Sequence, residues 1–214
     1  MKYPKIIILA QGGTHGDFLC KCALLMVDNH DIKINEKGKT IEQSNFLKDN
    51  WQKSYRRGKK IKINYKFVNE VEVCHIWQEE FLNFKSRFFY INFTQSQIPI
   101  IKNMFLTKTC NGKIENVFKT NKTFLPSDLS SKITLKNFDA IWTTQIKNTL
   151  AKYKKQNGIT AIKITDLYKF ESLKNILKQM GVYNKTKEYK LKKMYKEWHK
   201  KNHNFIEQML YIKK

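Results

Sequence analysis

Arginine is scarce in this chain: Arg56, Arg57 and Arg87 are the three arginines among 41 basic residues, and the rest are lysine. Readers of bases and phosphates draw on the planar guanidinium, so a net charge of +23 does not by itself mark a nucleic-acid reader. Two sources of that charge stay open: a lysine-rich coding bias spread over solvated faces, or a selected surface for a polyanion such as nucleic acid. The cluster YRRGKKIK, from Tyr55 to Lys62, fits either source and suits a hairpin or loop. Cysteine is also sparse. Cys20, Cys22, Cys74 and Cys110 form no CxxC pair and no framework spacing, which points to a reducing compartment. No apolar run reaches the length of a membrane-spanning helix. The apolar run near the start meets glycines and a histidine where a secretory leader would have a small-residue cleavage site. The expectation is a cytoplasmic protein without a membrane span, with export into a host and oligomeric state left open.

What is present suits one α/β domain over residues 1–214, since 41% of the residues are hydrophobic and 13% aromatic, enough for a substantial core. The opening stretch KIIILAQGGTHGDFLCKCALLM, Lys5 to Met26, is its most informative part. Ile6 to Ala10 fit a strand buried on both faces, as in a parallel sheet. Gly12, Gly13 and Gly16 permit a sharp turn with bare N–H groups, and an apolar helix follows. A helix start after such a turn attracts anions.

Downstream, strand and helix signals alternate. VEVCHIW gives a strand ending at His75, FFYINF (Phe88–Phe93) a buried strand, and ITAIKIT (Ile159–Thr165) a third. Helices are expected near 44–53, 78–85 and 95–104, the last with Pro99 in its first turn. Another runs from Phe138 to a stop at Asn157-Gly158, and one from about Phe170 to Met180, with Asp166 as its cap and Gly181 as its end. Residues 31–70 read as a polar insertion and 109–137 as a long loop or lid. This order predicts a mainly parallel sheet flanked by helices, a P-loop-like three-layer α/β/α fold.

Residues 185–214 carry ten lysines and three glutamates, yet Leu191, Met194, Trp198, Phe205 and Met209 fall near one helical face. One amphipathic helix is expected over 186–212. Its stripe suits packing on its own domain, or binding to a membrane surface or a protein partner. His199 and His203, four apart on this helix, have a spacing able to chelate zinc, but no third ligand is identifiable nearby.

Placed on these elements, GGTHGDFL (Gly12–Leu19), VCHIW and ITAIKITDLYKFESLKNILKQMGV together resemble the P-loop sulfotransferase superfamily, in particular its short divergent bacterial and viral members. YKEWHKKN, Tyr195 to Asn202, is similar to their helical tail. The resemblance implies a 3′-phosphoadenosine 5′-phosphosulfate cofactor, no metal, and a hydroxyl or amine acceptor. It implies cofactor contacts from Gly12, Gly13, Thr14, His15, Gly16 and Asp17, with catalysis by His75 as the base that takes the acceptor's proton.

Two departures bear on that chemistry. The family's loop lysine has no counterpart in Gln11–Thr14, and Lys21, one turn into the helix, is the substitute. The strand that offers the 3′-phosphate an arginine and a serine reads INFTQSQIPIIK, leaving Thr94, Ser96 and Lys102. Asp17 beside a phosphate is repulsive, but at a helix start its charge is welcome. A strand-end histidine held by a backbone carbonyl is the structural reading of His75. The chain is therefore expected to bind before it turns over, with two alternatives: a catalytically degenerate protein that binds a polyanion or protein partner through its basic surface, and a zinc hydrolase. The latter rests on similarity to the GGTHGNE loop of the aspartoacylase family, where a glutamate three residues after the histidine completes the zinc pair; here Phe18 stands in that place. A nucleotide kinase would need GxxxxGK[ST], whose lysine and hydroxyl are missing.

Overall fold

Ile6–Ala10 form strand β1, and all five of its side chains are buried. Successive strand residues face opposite sides, so this burial requires cover on both faces of the sheet. The computed structural model describes residues 5–27, 33–34, 40–41, 71–75, 82, 85–110, 115, 134 and 136–212. After β1 come α1 (Gly16–Met26), β2 (Lys33–Ile34), β3 (Thr40–Ile41), β4 (Val71–His75) and β5 (Arg87–Asn92). A 3-10 turn at Gln95–Gln97 leads into α2 (Ile98–Cys110), followed by α3 (Phe138–Lys155) and β6 (Ile159–Lys163). A second 3-10 turn, Ile164–Tyr168, precedes α4 (Phe170–Gln179), and a third, Lys185–Lys187, precedes α5 (Glu188–Lys201) and α6 (His203–Leu210).

The four longer strands make one sheet in the order β4-β1-β5-β6. Every pairing is parallel, with Ala10 beside His75, Leu9 beside Tyr90 and Asn92 beside Lys163. Helix α1 covers one face. A Cβ added to Gly16 would overlap that of Ala10 and lie 3.0 Å from a methyl of Val73, so helix and strand approach at the glycine. The other face carries Leu9 and Tyr90, and the Tyr90 ring packs on Tyr153 of α3 at 5.8 Å. Helix α2 lies with α3, Phe105 against Trp142 at 6.3 Å, while α5 joins α1 through Phe18 and Trp198. The fold is α/β in three layers, as the alternation of strands and helices predicts.

Several expectations fall outside the described residues: the helices near 44–53 and 78–85, the Tyr55–Lys62 cluster, and most of the 31–70 and 109–137 segments. Of the first segment, β2 and β3 are described as an antiparallel pair. Pro99 does stand in the first turn of α2, and α3 stops at Lys155, three residues before Gly158 with its φ of +83°.

Two local expectations are corrected. Asp166 lies inside the 3-10 turn rather than capping α4, whose N-cap is Lys169; three residues separate it from the helix start at Phe170, too far for a side chain to reach the first N–H groups. The single helix expected over 186–212 is two, broken at Asn202. Its N–H reaches the carbonyls of Trp198 and His199 at 3.1 and 3.2 Å, its side-chain amide donates to Trp198 O at 2.8 Å, and its carbonyl accepts from Ile206 at 3.0 Å. One buried asparagine thus closes α5 and opens α6, because its amide competes with the helical ladder. The apolar stripe survives the break, with Leu191, Met194, Ile206 and Met209 buried. Among the described residues no helix is long and apolar enough to cross a membrane.

Candidate functional site at the carboxyl edge of the sheet

Five residues, Gln11–His15, join β1 to α1. The Gln11 carbonyl accepts the Thr14 N–H at 3.0 Å and the Thr14 hydroxyl at 2.6 Å. Gly13, third in this turn, has a φ of +91°, the requirement of a type II turn that glycine meets without strain. Helix α2 presses on the turn: a Cβ on Gly13 would lie 2.5 Å from the Ile101 carbonyl oxygen, and one on Gly12 would lie 2.7 Å from the Phe105 ring. His15 then takes a left-handed backbone, φ 61° and ψ 26°, as the N-cap of α1. That conformation is uncommon without glycine and persists where surroundings enforce it. Here the imidazole meets Trp198 edge-on at 4.9 Å and Tyr168 at 5.9 Å. The loop is held between α2 and the aromatic side of α5.

Its place in the topology matters more than its shape. Strand β1 sends its helix to one face and its neighbour to β4, whereas the chain after β5 runs to α2 and α3 on the other face. The carboxyl ends of β1 and β5 therefore flank a topological switch point, where open α/β sheets leave a crevice for ligands. The start of α1, with N–H groups that no helical carbonyl can satisfy, opens there.

The sequence-predicted residues distribute as follows around this edge. Gly12 and Gly13 are half-buried, Thr14, His15 and Gly16 are buried, and Asp17 is exposed in the first turn of α1. Lys21 lies one turn on, half-buried, on the same side of the helix as Asp17. Thr94 and Ser96 follow β5 at the same edge, their hydroxyls 2.9 Å apart and exposed, and Thr94 N–H donates to the Gln97 side chain at 2.8 Å. His75 ends β4 in register with Ala10, which brings its backbone to this edge; its side chain lies outside the described residues. Lys102 is directed elsewhere, with its ammonium 2.6 Å from Asp139.

Three buried polar groups at the same edge were not legible in the sequence. Gln11 is 2% exposed, and among the described residues neither its amide nitrogen nor its amide oxygen has a hydrogen-bond partner. The Asn92 side-chain oxygen, at the end of β5, and the Tyr168 hydroxyl, just past β6, are in the same condition. Burial raises the Tyr168 phenol well above its usual range, so it stays a protonated donor. Buried polar groups normally find partners, and three unsatisfied ones at one edge mark it as polar beneath its rim. Nothing in the sequence distinguishes Gln11 from an ordinary loop residue.

Elsewhere, Cys20 and Cys22 are buried in α1; the Cys20 thiol donates to Val71 O at 3.5 Å, and burial pushes the Cys22 thiol further from ionisation. The rings of His199 and His203 are 6.5 Å apart, and His203 pairs with Glu207 at 3.2 Å. Among the described residues no three His, Cys, Asp or Glu side chains converge as a metal-ligand set. No protein-family model matches this chain, and neither a curated protein nor a solved structure matches it.

Proposed function

We propose that the chain is a sulfotransferase-like protein that binds a phosphoadenosine-type nucleotide at the carboxyl edge, with the 5′ oxyanion at the start of α1. The observation that carries this reading is the position of the Gln11–Asp17 loop at the switch point between β1 and β5. Backbone N–H groups and the helix dipole supply the attraction, and the positive-φ turn at Gly13 lets backbone replace the missing loop lysine. Thr94 and Ser96 offer hydroxyls to the far phosphate. Intact 3′-phosphoadenosine 5′-phosphosulfate carries the group to be transferred; His75 accepts the proton of an attacking hydroxyl or amine. Calorimetric titration with 3′-phosphoadenosine 5′-phosphate tests binding. Saturable binding at micromolar concentration is expected, and Asp17→Lys should tighten it by about threefold to tenfold by reversing a charge beside the anion. Lack of binding at millimolar nucleotide, or indifference to Asp17→Lys, overturns the reading.

One observation favours a second reading, a degenerate binding protein. The Thr14 hydroxyl and Lys102 are both engaged within the protein, which leaves the basic exterior as the stronger attraction for a polyanion. A steep fall in nucleic-acid affinity with added salt supports it; affinity equal to that of a lysine-rich control protein overturns it.

A further inference from the structure

Helix α5 carries a line of lysines on the side turned away from the core. Lys192, Lys196 and Lys200 stand four residues apart, so they follow one another along one side of the helix at about 6 Å per step. All three are exposed. Tyr189 begins the same side one turn earlier, 67% exposed, and the Lys193 ammonium lies 4.9 Å from the centre of its ring. The two carboxylates of this helix are engaged: Glu188 accepts from the Tyr183 hydroxyl and pairs with Lys174 at 3.0 Å, and Glu197 pairs with Lys201 at 3.4 Å. The outward side is therefore cationic along its length, with one aromatic ring at its start.

The opposite side of α5 is committed to the fold. Leu191, Met194 and Tyr195 are buried, the Tyr195 hydroxyl donates to the Tyr168 carbonyl at 2.6 Å, and Trp198 stacks on Phe18 of α1. This anchoring decides between partners. A membrane-surface helix needs its apolar stripe for the lipid, and here that stripe lies in the core. A fixed row of single charges fits instead a chain whose own charges repeat at a similar step, and the extended backbone of a single-stranded nucleic acid is such a chain. Lysine meets a phosphate as a point charge without reading a base edge, and an exposed aromatic ring accepts any base by its face. A duplex keeps the faces of its bases inside the stack, so it offers phosphates to the row and nothing to the ring.

From this juxtaposition we propose that the outward side of α5 binds single-stranded nucleic acid without sequence preference. Successive phosphates lie on Lys192, Lys196 and Lys200, and a base stacks on the face of Tyr189 opposite Lys193. The inference rests on the second reading above, to which it gives a place and a partner, and it is independent of the nucleotide proposed at the carboxyl edge.

A fluorescent oligothymidylate of about twelve nucleotides, titrated with the full-length protein and read by anisotropy, is the probe. Saturable binding is expected, with affinity falling steeply as salt rises. Lys192→Gln, Lys196→Gln and Lys200→Gln combined should reduce the slope of log affinity against log salt by about 2 and weaken binding on the order of a hundredfold at about 0.1 M salt. Lys147→Gln, Lys154→Gln and Lys155→Gln combined, the same charge change on exposed lysines of α3, should reduce that slope by less than about 0.7. Tyr189→Ala should weaken binding by about tenfold at unchanged slope, with Tyr189→Phe near wild type and neither variant altering the affinity for a duplex of the same length. Equal effects of the two lysine triples, no loss with Tyr189→Ala, or equally tight binding of polyglutamate would each overturn the assignment. The first two of these results, with oligonucleotide binding retained, leave the second reading in place; binding no stronger than that of a lysine-rich control protein removes both.

Discussion

Phe18 and Trp198 stack face to face, ring centroids 3.8 Å apart and planes 5° apart. The first turn of α1 is thereby fixed to α5, and the same indole meets the edge of His15. Trp198→Ala removes both contacts. A loss of about 2–3 kcal/mol is expected for a half-buried tryptophan in an aromatic cluster, read as a lower denaturant midpoint at unchanged slope. A change within error of wild type would show that α1 is held by its other contacts.

Two glycines with similar backbones should respond differently to the same substitution. Gly13 and Gly158 have φ of +91° and +83°, but a Cβ on Gly13 meets the Ile101 carbonyl whereas one on Gly158 meets no atom of the described residues within 4 Å. Gly158→Ala should cost about 1 kcal/mol from backbone strain alone. Gly13→Ala should cost more than about 2 kcal/mol, because the carbonyl cannot yield without moving α2. Equal losses in thermal unfolding would contradict the packing of α2 on the loop.

The Tyr195 hydroxyl donates to the Tyr168 carbonyl at 2.6 Å, and burial, aided by the Cys22 thiol, raises its phenol to about 12. A folded-state value above the unfolded one means the unfolded chain loses this proton first. Stability from this group is therefore complete below about pH 10 and falls as pH rises from there through about 12. Tyr195→Phe should flatten part of that alkaline limb and lose about 1 kcal/mol at neutral pH. An unaltered alkaline limb would remove Tyr195 as its source.

At the opposite end of the pH scale, Glu188 is held below the usual carboxylate range by the Tyr183 hydroxyl and then by Lys174. Its contribution is present above the unfolded carboxylate range and is lost as pH falls through the lower folded value. Glu188→Gln should shift the acid-unfolding midpoint upward and reduce its steepness, measured by circular dichroism from neutral pH downward. No shift would mean the Tyr183–Glu188–Lys174 group is decoupled from global unfolding.

The parallel core was legible because its strands are short apolar runs bounded by glycine and polar residues: Ile6–Ala10, Phe88–Phe93 and Ile159–Thr165 overlap the observed β1, β5 and β6. The turn at Gly12-Gly13 was legible for the same local reason. What the Thr14 hydroxyl bonds was not, because a sequence pattern predicts a turn without choosing among the acceptors within reach. Trp198 read as one member of a helical stripe; its contact with His15 joins residues far apart in sequence, which periodicity cannot register. The break at Asn202 was hidden likewise, since the apolar spacing runs through it and only the amide's bond to Trp198 O reveals it.

The clamp on His15 also has an order in time. A ribosome delivers Gly12–Asp17 long before Tyr168, Tyr195 and Trp198, so the left-handed turn into α1 lacks its aromatic support through most of synthesis. The left-handed geometry at His15 therefore gains its support late, when α5 packs on α1, rather than when the strand, turn and helix have formed.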